Sequence, residues 1–248
     1  VYSSLDPAGV NASKHLKQGE PFLKVVSGND VNVWSLPGFD LVEVSVPLID
    51  ASFLDGLGSE LIVFCSKHAS AAGVKAFTTH FTGDFKQGLF GKAAASSANA
   101  AFNYFLSNTI PGFSVSREVT HHSPFLSTPS VFVELGSSEE GWTNVDGGKI
   151  LAGACLTALK GFAVVGKTAF LGVGGPHYSP AFSSPDLVLS HVCPKYSLEF
   201  LTSETLKKMV GATAEKVEGV LVDWKGCGSF KQKVVEACDE AGLGLERV

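Results

Sequence analysis

The chain has 248 residues and a mass of 26.0 kDa, with 45% hydrophobic and 17% charged residues, so it has apolar surface enough to offset the entropy of ordering and is not a disordered protein. Its longest wholly apolar run is 61–65, far short of the roughly 20 residues of a membrane-spanning helix, and no membrane partner is expected. The net charge of −5, from 19 basic and 24 acidic residues, excludes a general nucleic-acid binder: no DNA partner is expected, and any RNA contact must be local.

Asp6-Pro7 reads as a helix start, an acidic cap followed by a proline whose missing N–H does no harm, and the helix is predicted to run to about Gln18. Residues 39–46 alternate apolar and polar, as a half-exposed strand does. Residues 61–65 read as a strand buried on both faces, 74–81 as another strand, and 83–91 as a glycine-punctuated loop. An Ala-rich helix is predicted over 93–106 and ends at Pro111-Gly112. Strands follow at 113–119 and 131–133. Ser137 and Glu140 have capping-box spacing for a helix carrying Ile150, Leu151, Ala154 and Cys155. Strands at 169–173, 187–192 and 217–222 complete the pattern. Helices are predicted at 202–210 and, capped by Ser229 and Gln232, up to about Ala241.

Strands alternating with helices predict an α/β/α sandwich around a mixed, largely parallel sheet, with residues 1–248 forming one domain. The link between 113–119 and 131–135 is too short for a parallel crossover, so part of the sheet is expected to be antiparallel. The five cysteines (Cys65, Cys155, Cys193, Cys227, Cys238) contain no C-x-x-C pair. A disulfide framework or zinc ribbon is therefore not expected, and a reduced, cytoplasmic protein is. No basic-then-apolar leader is visible near the start, so no secretory signal is expected.

Ligands of such folds bind beyond the carboxyl ends of strands. Six of the seven histidines (His68, His80, His121, His122, His177 and His191) fall at or near predicted strand ends. Histidine and carboxylate together suit a divalent metal, and equally suit general acid–base chemistry near neutral pH. If 118–122 stays extended, Glu118, Thr120 and His122 share one face and His121 takes the other, so both histidines can serve one centre only through a bulge or turn. Glu139 and Glu140 sit where acids complement a helix dipole, and for Glu140 capping is at least as good a reading as catalysis. Glu134, if buried, needs a partner. Gly174 and Gly175 offer backbone N–H groups for an oxyanion, but H-E-x-x-H, G-x-S-x-G and Walker A sequences are absent.

Five segments in order carry a family resemblance: Ser66-Lys67-His68, then His80-Phe81-Thr82-Gly83, then Glu118-Val119-Thr120-His121-His122-Ser123-Pro124, then Glu134 to Trp142, then Gly172 to Pro180 with its Gly-Gly-x-His-Tyr block. The sequence resembles the D-aminoacyl-tRNA deacylases of archaeal and plant type over nearly its whole length. Two departures are visible: Ser123 stands where the family usually has glycine, and Pro176 precedes His177 where a small or hydroxyl residue is common. The resemblance implies a sandwich related to peptidyl-tRNA hydrolase and to phosphorylase-hydrolase folds. It also implies hydrolysis of the ester between a D-amino acid and the 3′ end of tRNA, and a zinc ion.

The residues expected to act are His80, His122, His177, Glu118 and Glu134 as catalytic groups, with His80, His121, His122 and His177 as the pool of metal ligands. Gly174, Gly175, Thr82, Gly83, Tyr178 and Lys67 are expected to bind substrate. The late lysines Lys195, Lys207, Lys208, Lys216, Lys225, Lys231 and Lys233 read first as solvated helix faces, and the resemblance makes them candidate contacts to acceptor-stem phosphates. A monomer is expected. The alternatives are a hydrolase of peptidyl-tRNA or another N-blocked aminoacyl-tRNA on the same fold, and a non-enzymatic RNA or nucleotide binder.

Overall fold

The computed structural model describes residues 1–28, 30–70, 73–162 and 166–248. The N-terminal part runs β1 (Tyr2–Ser3), α1 (Pro7–Gly19), β2 (Leu23–Ser27), β3 (Val31–Leu36) and β4 (Phe39–Val44). Asp6 caps α1 as predicted, accepting the Gly9 N–H at 2.9 Å. Next come β5 (Ile62–Ala69), β6 (Ala76–His80), the small hairpin β7 (Gly83–Asp84) and β8 (Leu89–Phe90), α2 (Ala95–Asn108), β9 (Ser114–Arg117) and β10 (Ser130–Ser137). The rest is α3 (Glu139–Trp142), α4 (Val145–Gly161), β11 (Thr168–Val173), β12 (Leu189–Cys193), α5 (Ser203–Gly211), β13 (Lys216–Val222), α6 (Lys231–Ala241) and β14 (Leu245–Arg247).

These strands form an α/β fold with mixed, largely parallel sheets. The central sheet has the order β5-β10-β6-β9, the C-terminal sheet β12-β11-β13-β14 is parallel throughout, and the N-terminal sheet is β1-β4-β3-β2. The antiparallel portion of the central sheet lies between β10 and β6. β9 and β10 do not pair with each other, because β6 sits between them.

Two of the predicted caps are corrected. Ser137 donates its hydroxyl to the Val74 carbonyl at 2.6 Å and caps nothing. The long helix α4 instead begins at Asn144, whose side chain accepts the Gly147 N–H at 2.7 Å. At α6, the predicted Ser229 cap is replaced by a short 3-10 turn over Gly228–Phe230, with no side-chain cap.

Strand alternation sorts the central sheet into two chemistries. On one face Val63, Cys65, Val133 and Leu135 pack against α1, α2 and α4 in a continuous apolar core. On the other face, register places Phe64, Phe132 and His80 in one row, and Ser66, Glu134 and Thr78 in the next. The first row is closed by aromatic packing, Phe64 on Phe132 at 4.3 Å and His80 on Phe132 at 5.0 Å between ring centroids. The second row carries polar groups into a buried position, and there the candidate site begins.

Candidate active site

Residues 118–122 leave β9 and cross from the central sheet to the C-terminal sheet. Glu118 N–H donates to Thr79 O (2.9 Å), Val119 N–H to His177 O (3.0 Å), Thr120 N–H to Val192 O (3.0 Å) and His121 N–H to Phe81 O (3.2 Å). Successive residues are thus tied to different sheets, and their side chains gather at the seam. His122 supplies the turn that two adjacent histidines require: its φ is +42°, a conformation costly for a side chain with a Cβ and found where surrounding contacts enforce it. Gly83 enforces it by donating its N–H to the His122 carbonyl at 2.9 Å. A Cβ at Gly83 would lie 2.6 Å from Thr120 Cγ2 and 2.7 Å from Phe90 Cδ1.

The seam brings together all six predicted catalytic and metal-ligand candidates. Ring centroids of His80, His121 and His122 lie 4.2 to 4.8 Å apart, and His177 lies 4.8 Å from His121. Glu118 is at the centre. Its Oε2 accepts from His177 Nε2 at 2.9 Å and stands 3.8 Å from His121 Nε2. Its Oε1 is 3.0 Å from His68 Nδ1, but that approach is poorly aligned, and Oε1 lacks a proper hydrogen-bond partner. Glu134 lies 3.5 Å from both His68 Nδ1 and His80 Nε2.

His68 belongs to this site and was absent from the predicted set. Its Nε2 shares a 2.6 Å hydrogen bond with the Tyr178 hydroxyl. The strand predicted to end at residue 65 continues to Ala69, and two-residue alternation from Phe64 puts Ser66 and His68 on the polar face. Gly136 is paired opposite His68, where a Cβ would sit 2.6 Å from the His68 carbonyl oxygen and 2.7 Å from its Cβ. Only glycine leaves room for the imidazole at that approach.

The predicted substrate-binding residues divide. Tyr178 reaches the site through His68, and Gly83 lines a cavity beside His121 and His122. Three others are otherwise engaged. Lys67 lies on the opposite face of β5, with its ammonium 5.1 Å from the Trp142 ring centroid. Thr82 donates its hydroxyl to the Pro124 carbonyl at 2.7 Å and holds the loop behind the histidines. The Gly174 N–H donates to Cys193 O at 2.8 Å, so it is not free to bind an oxyanion. Gly175 lines a second cavity, next to Pro176 and Tyr196. Glu140 is exposed and paired with Lys75 at 2.5 Å, in keeping with a helix-start role.

Electrostatics give these groups different roles. Burial disfavours charge on His68, but the two carboxylates of Glu118 and Glu134 beside it outweigh this and raise its pKa to about 11. His80 is raised for the same reason, chiefly by Glu134 against burial. Burial opposes ionisation of the two carboxylates, yet the histidines hold Glu134 at about 2 and Glu118 well below the usual range. His121 and His122 go the other way: burial, then the charge on His80, lowers them to about 3 and about 4. Both are therefore neutral at physiological pH. Their Nδ1 atoms face backbone carbonyls, Val119 O at 2.8 Å and Ser123 O at 2.6 Å. Nδ1–H donation there leaves each Nε2 with a lone pair, the tautomer a metal-ligating histidine adopts.

Three overlapping groups could hold a metal ion: His80, His121 and His122; Glu118, His121 and His177; and His68, Glu118 and Glu134. In each, the donor atoms lie within 4.8 Å of one another. The first is the best match to a nitrogen-ligated divalent ion, with His80 giving up its proton as the metal binds. His80 Nε2 is buried without a hydrogen-bond partner, and two neutral imidazoles stand beside it.

An α/β fold with buried carboxylates steering histidines at a sheet seam suits hydrolytic or metal-assisted chemistry, and comparison with known proteins narrows it. The family profile for D-aminoacyl-tRNA deacylase matches residues 56–246. A D-aminoacyl-tRNA deacylase from Thermococcus onnurineus is 36% identical over 203 residues, covering 77% of this chain and 74% of that protein. One from Methanococcus maripaludis is 29% identical over 271 residues, covering 100% of this chain and 98% of that protein. The crystal structure of a conserved protein of unknown function, AF0625, superposes with a TM-score of 0.87 at 29% identity, over 99% of this chain and 93% of that one. The chain belongs to the D-aminoacyl-tRNA deacylase family.

Proposed function

We propose that the protein hydrolyses the ester joining a D-amino acid to the 3′ end of tRNA, releasing the amino acid and free tRNA. The observation that carries this reading is the Glu118–His177 pair. Glu118 Oε2 accepts a hydrogen bond from His177 Nε2–H at 2.9 Å, which leaves Nδ1 with the lone pair, 3.2 Å from the Tyr196 hydroxyl. The His177 side chain is 38% exposed, against 27% for His121 and 5% for His68. It can therefore accept a proton from an attacking water while the buried carboxylate stabilises the imidazolium. The family match favours this over hydrolysis of N-blocked aminoacyl-tRNA and over simple RNA binding.

Zinc is part of the proposal. His80, His121 and His122 would hold it, leaving Glu118 and His177 as the acid–base pair. Bound there, zinc would polarise the ester carbonyl and lower the pKa of a coordinated water to about 7. His68 has a separate role. It neutralises two buried carboxylates that would otherwise repel each other, and through Tyr178 it fixes the segment that carries His177. The chain acts as one catalytic unit, because the site draws on β5, β6, β10, the 118–122 crossing and the 177–178 segment. The tRNA acceptor end is the partner, and the cytoplasm, where tRNA is charged, is the place of action.

The test is hydrolysis of D-tyrosyl-tRNA by the wild type, His122→Ala and His177→Ala. Each substitution should lower the rate at least about 100-fold with the fold intact. Near-wild-type rates in both variants would remove the histidine centre from the mechanism.

A further inference from the structure

A scissile ester joins two bodies, here an aminoacyl group and a ribonucleoside. A site that hydrolyses it needs two spaces meeting at the catalytic groups. Two cavities meet at Tyr196, whose hydroxyl is 3.2 Å from His177 Nδ1. The first, about 460 Å³, contains His121, His122 and Gly83. The second, about 730 Å³, has no histidine in its wall and is bounded by Gly175, Pro176, Lys195, Tyr196, Glu199 and Phe230.

We propose that the second cavity receives the 3′-terminal nucleoside of the substrate tRNA, with Phe230 and Tyr196 stacking on the base and Lys195 facing the 5′-phosphate. This rests on the deacylase reading. Its volume lies in the range of small-molecule sites, and its aromatic and proline surfaces are flat and apolar, as nucleobase platforms are. An amino acid held as an ester has no free carboxylate, so the substrate anion that Lys195 can meet is the nucleotide phosphate. The Lys195 stem is held in place against Gly228, where a Cβ would lie 3.2 Å from Lys195 Cε.

The neighbouring helix adds to the same field. α6 begins directly after Phe230, and its first turn carries Lys231 and Lys233 and no acid. Cations at a helix N-terminus oppose the dipole, so these lysines do not stabilise the helix through its dipole. Lys233 Nζ donates to the Glu199 carbonyl at 2.5 Å, which fixes a second ammonium at the edge of the cavity.

The test compares three D-tyrosine esters: D-tyrosyl-tRNA, the 3′-D-tyrosyl ester of adenosine, and D-tyrosine methyl ester. Phe230→Ala should raise KM about tenfold for the two nucleoside esters with kcat within about threefold, and leave methyl ester hydrolysis unchanged. Lys195→Ala, on the exposed rim, should raise KM for tRNA but not for the adenosine ester, which lacks the 5′-phosphate. Calorimetric binding of 5′-AMP reads the cavity without turnover and should weaken about tenfold in Phe230→Ala. Unchanged KM and unchanged AMP affinity in Phe230→Ala, or an equal loss on the methyl ester, would overturn the proposal. Failure of the wild type to hydrolyse any D-tyrosine ester would overturn the deacylase reading instead, while AMP binding would still decide what the cavity holds.

Discussion

Replacing Glu118 by glutamine keeps the size of the side chain and removes its charge. In the native site, Oε2 accepts from His177 at 2.9 Å and Oε1 stands 3.0 Å from His68. The glutamine carbonyl can still accept the His177 proton, so the ring keeps its orientation. What is lost is the charge on the acceptor as the imidazolium forms, worth about 1.5–3 kcal/mol for a hydrogen bond to an ionised group. At about 1.36 kcal/mol per tenfold, kcat should fall roughly 10- to 150-fold, with KM changed less than about threefold. His68 also loses one of the two carboxylates that raise its pKa, so the melting temperature should fall as well. Single-turnover release of D-tyrosine from D-tyrosyl-tRNA measures the rate, and circular dichroism checks the fold. A folded Glu118→Gln protein working within threefold of wild type would refute the role given to the Glu118–His177 pair.

Further expectations concern metal, packing and pH. Chelation should abolish turnover and zinc should restore it, and His80→Ala should lower zinc content at neutral pH, read by elemental analysis of dialysed protein. Zinc content equal to wild type in His80→Ala would remove that residue from the ligand set. Gly83→Ala forces a Cβ to 2.6 Å from Thr120 Cγ2 and should cost about 1–3 kcal/mol in urea unfolding, together with activity, because the turn at His122 shifts; a neutral effect on both would show that the turn does not depend on Gly83. His191 is fully buried, shares a 3.2 Å contact with Thr120 and one of 3.1 Å with the Ala212 carbonyl, and is lowered to about 4 by burial. Since its folded pKa lies below the unfolded value of about 6.5, the unfolded state binds more protons between these limits. Stability present above pH 6.5 should therefore decline by about 3 kcal/mol as pH falls to 4. His191→Gln should lack that share of the acid sensitivity in urea midpoints taken from pH 7 to pH 4.5, and an unchanged slope would contradict it.

The alternation of strands and helices was readable because apolar runs such as 61–65 and 169–173 are buried at all but one residue each. The hairpin of β2 and β3 was not, since β2 is exposed throughout and β3 only half-buried, so neither shows the in–out pattern that marks a strand. Convergence of Glu118, Glu134, His80, His121, His122 and His177 was legible from their place at strand ends. The need for a turn between His121 and His122 was legible too, and φ at His122 supplies it. His68 was missed because its strand was ended at residue 65, where apolar character stops; polar residues continue a strand when the face they occupy is a site. Lys67, Thr82 and Gly174, expected at the substrate, are engaged within the fold instead, for a shared reason. A polar or glycine residue near a strand end can equally serve the fold, and only backbone direction and hydrogen-bond partners separate the two uses.

The most direct measurement is release of amino acid from D-tyrosyl-tRNA and L-tyrosyl-tRNA, side by side, with the zinc-loaded protein. Rapid release from the D ester with the L ester left intact is the predicted result. Equal release from both, or release from neither, would contradict the assignment of this histidine–carboxylate seam to D-aminoacyl-tRNA hydrolysis.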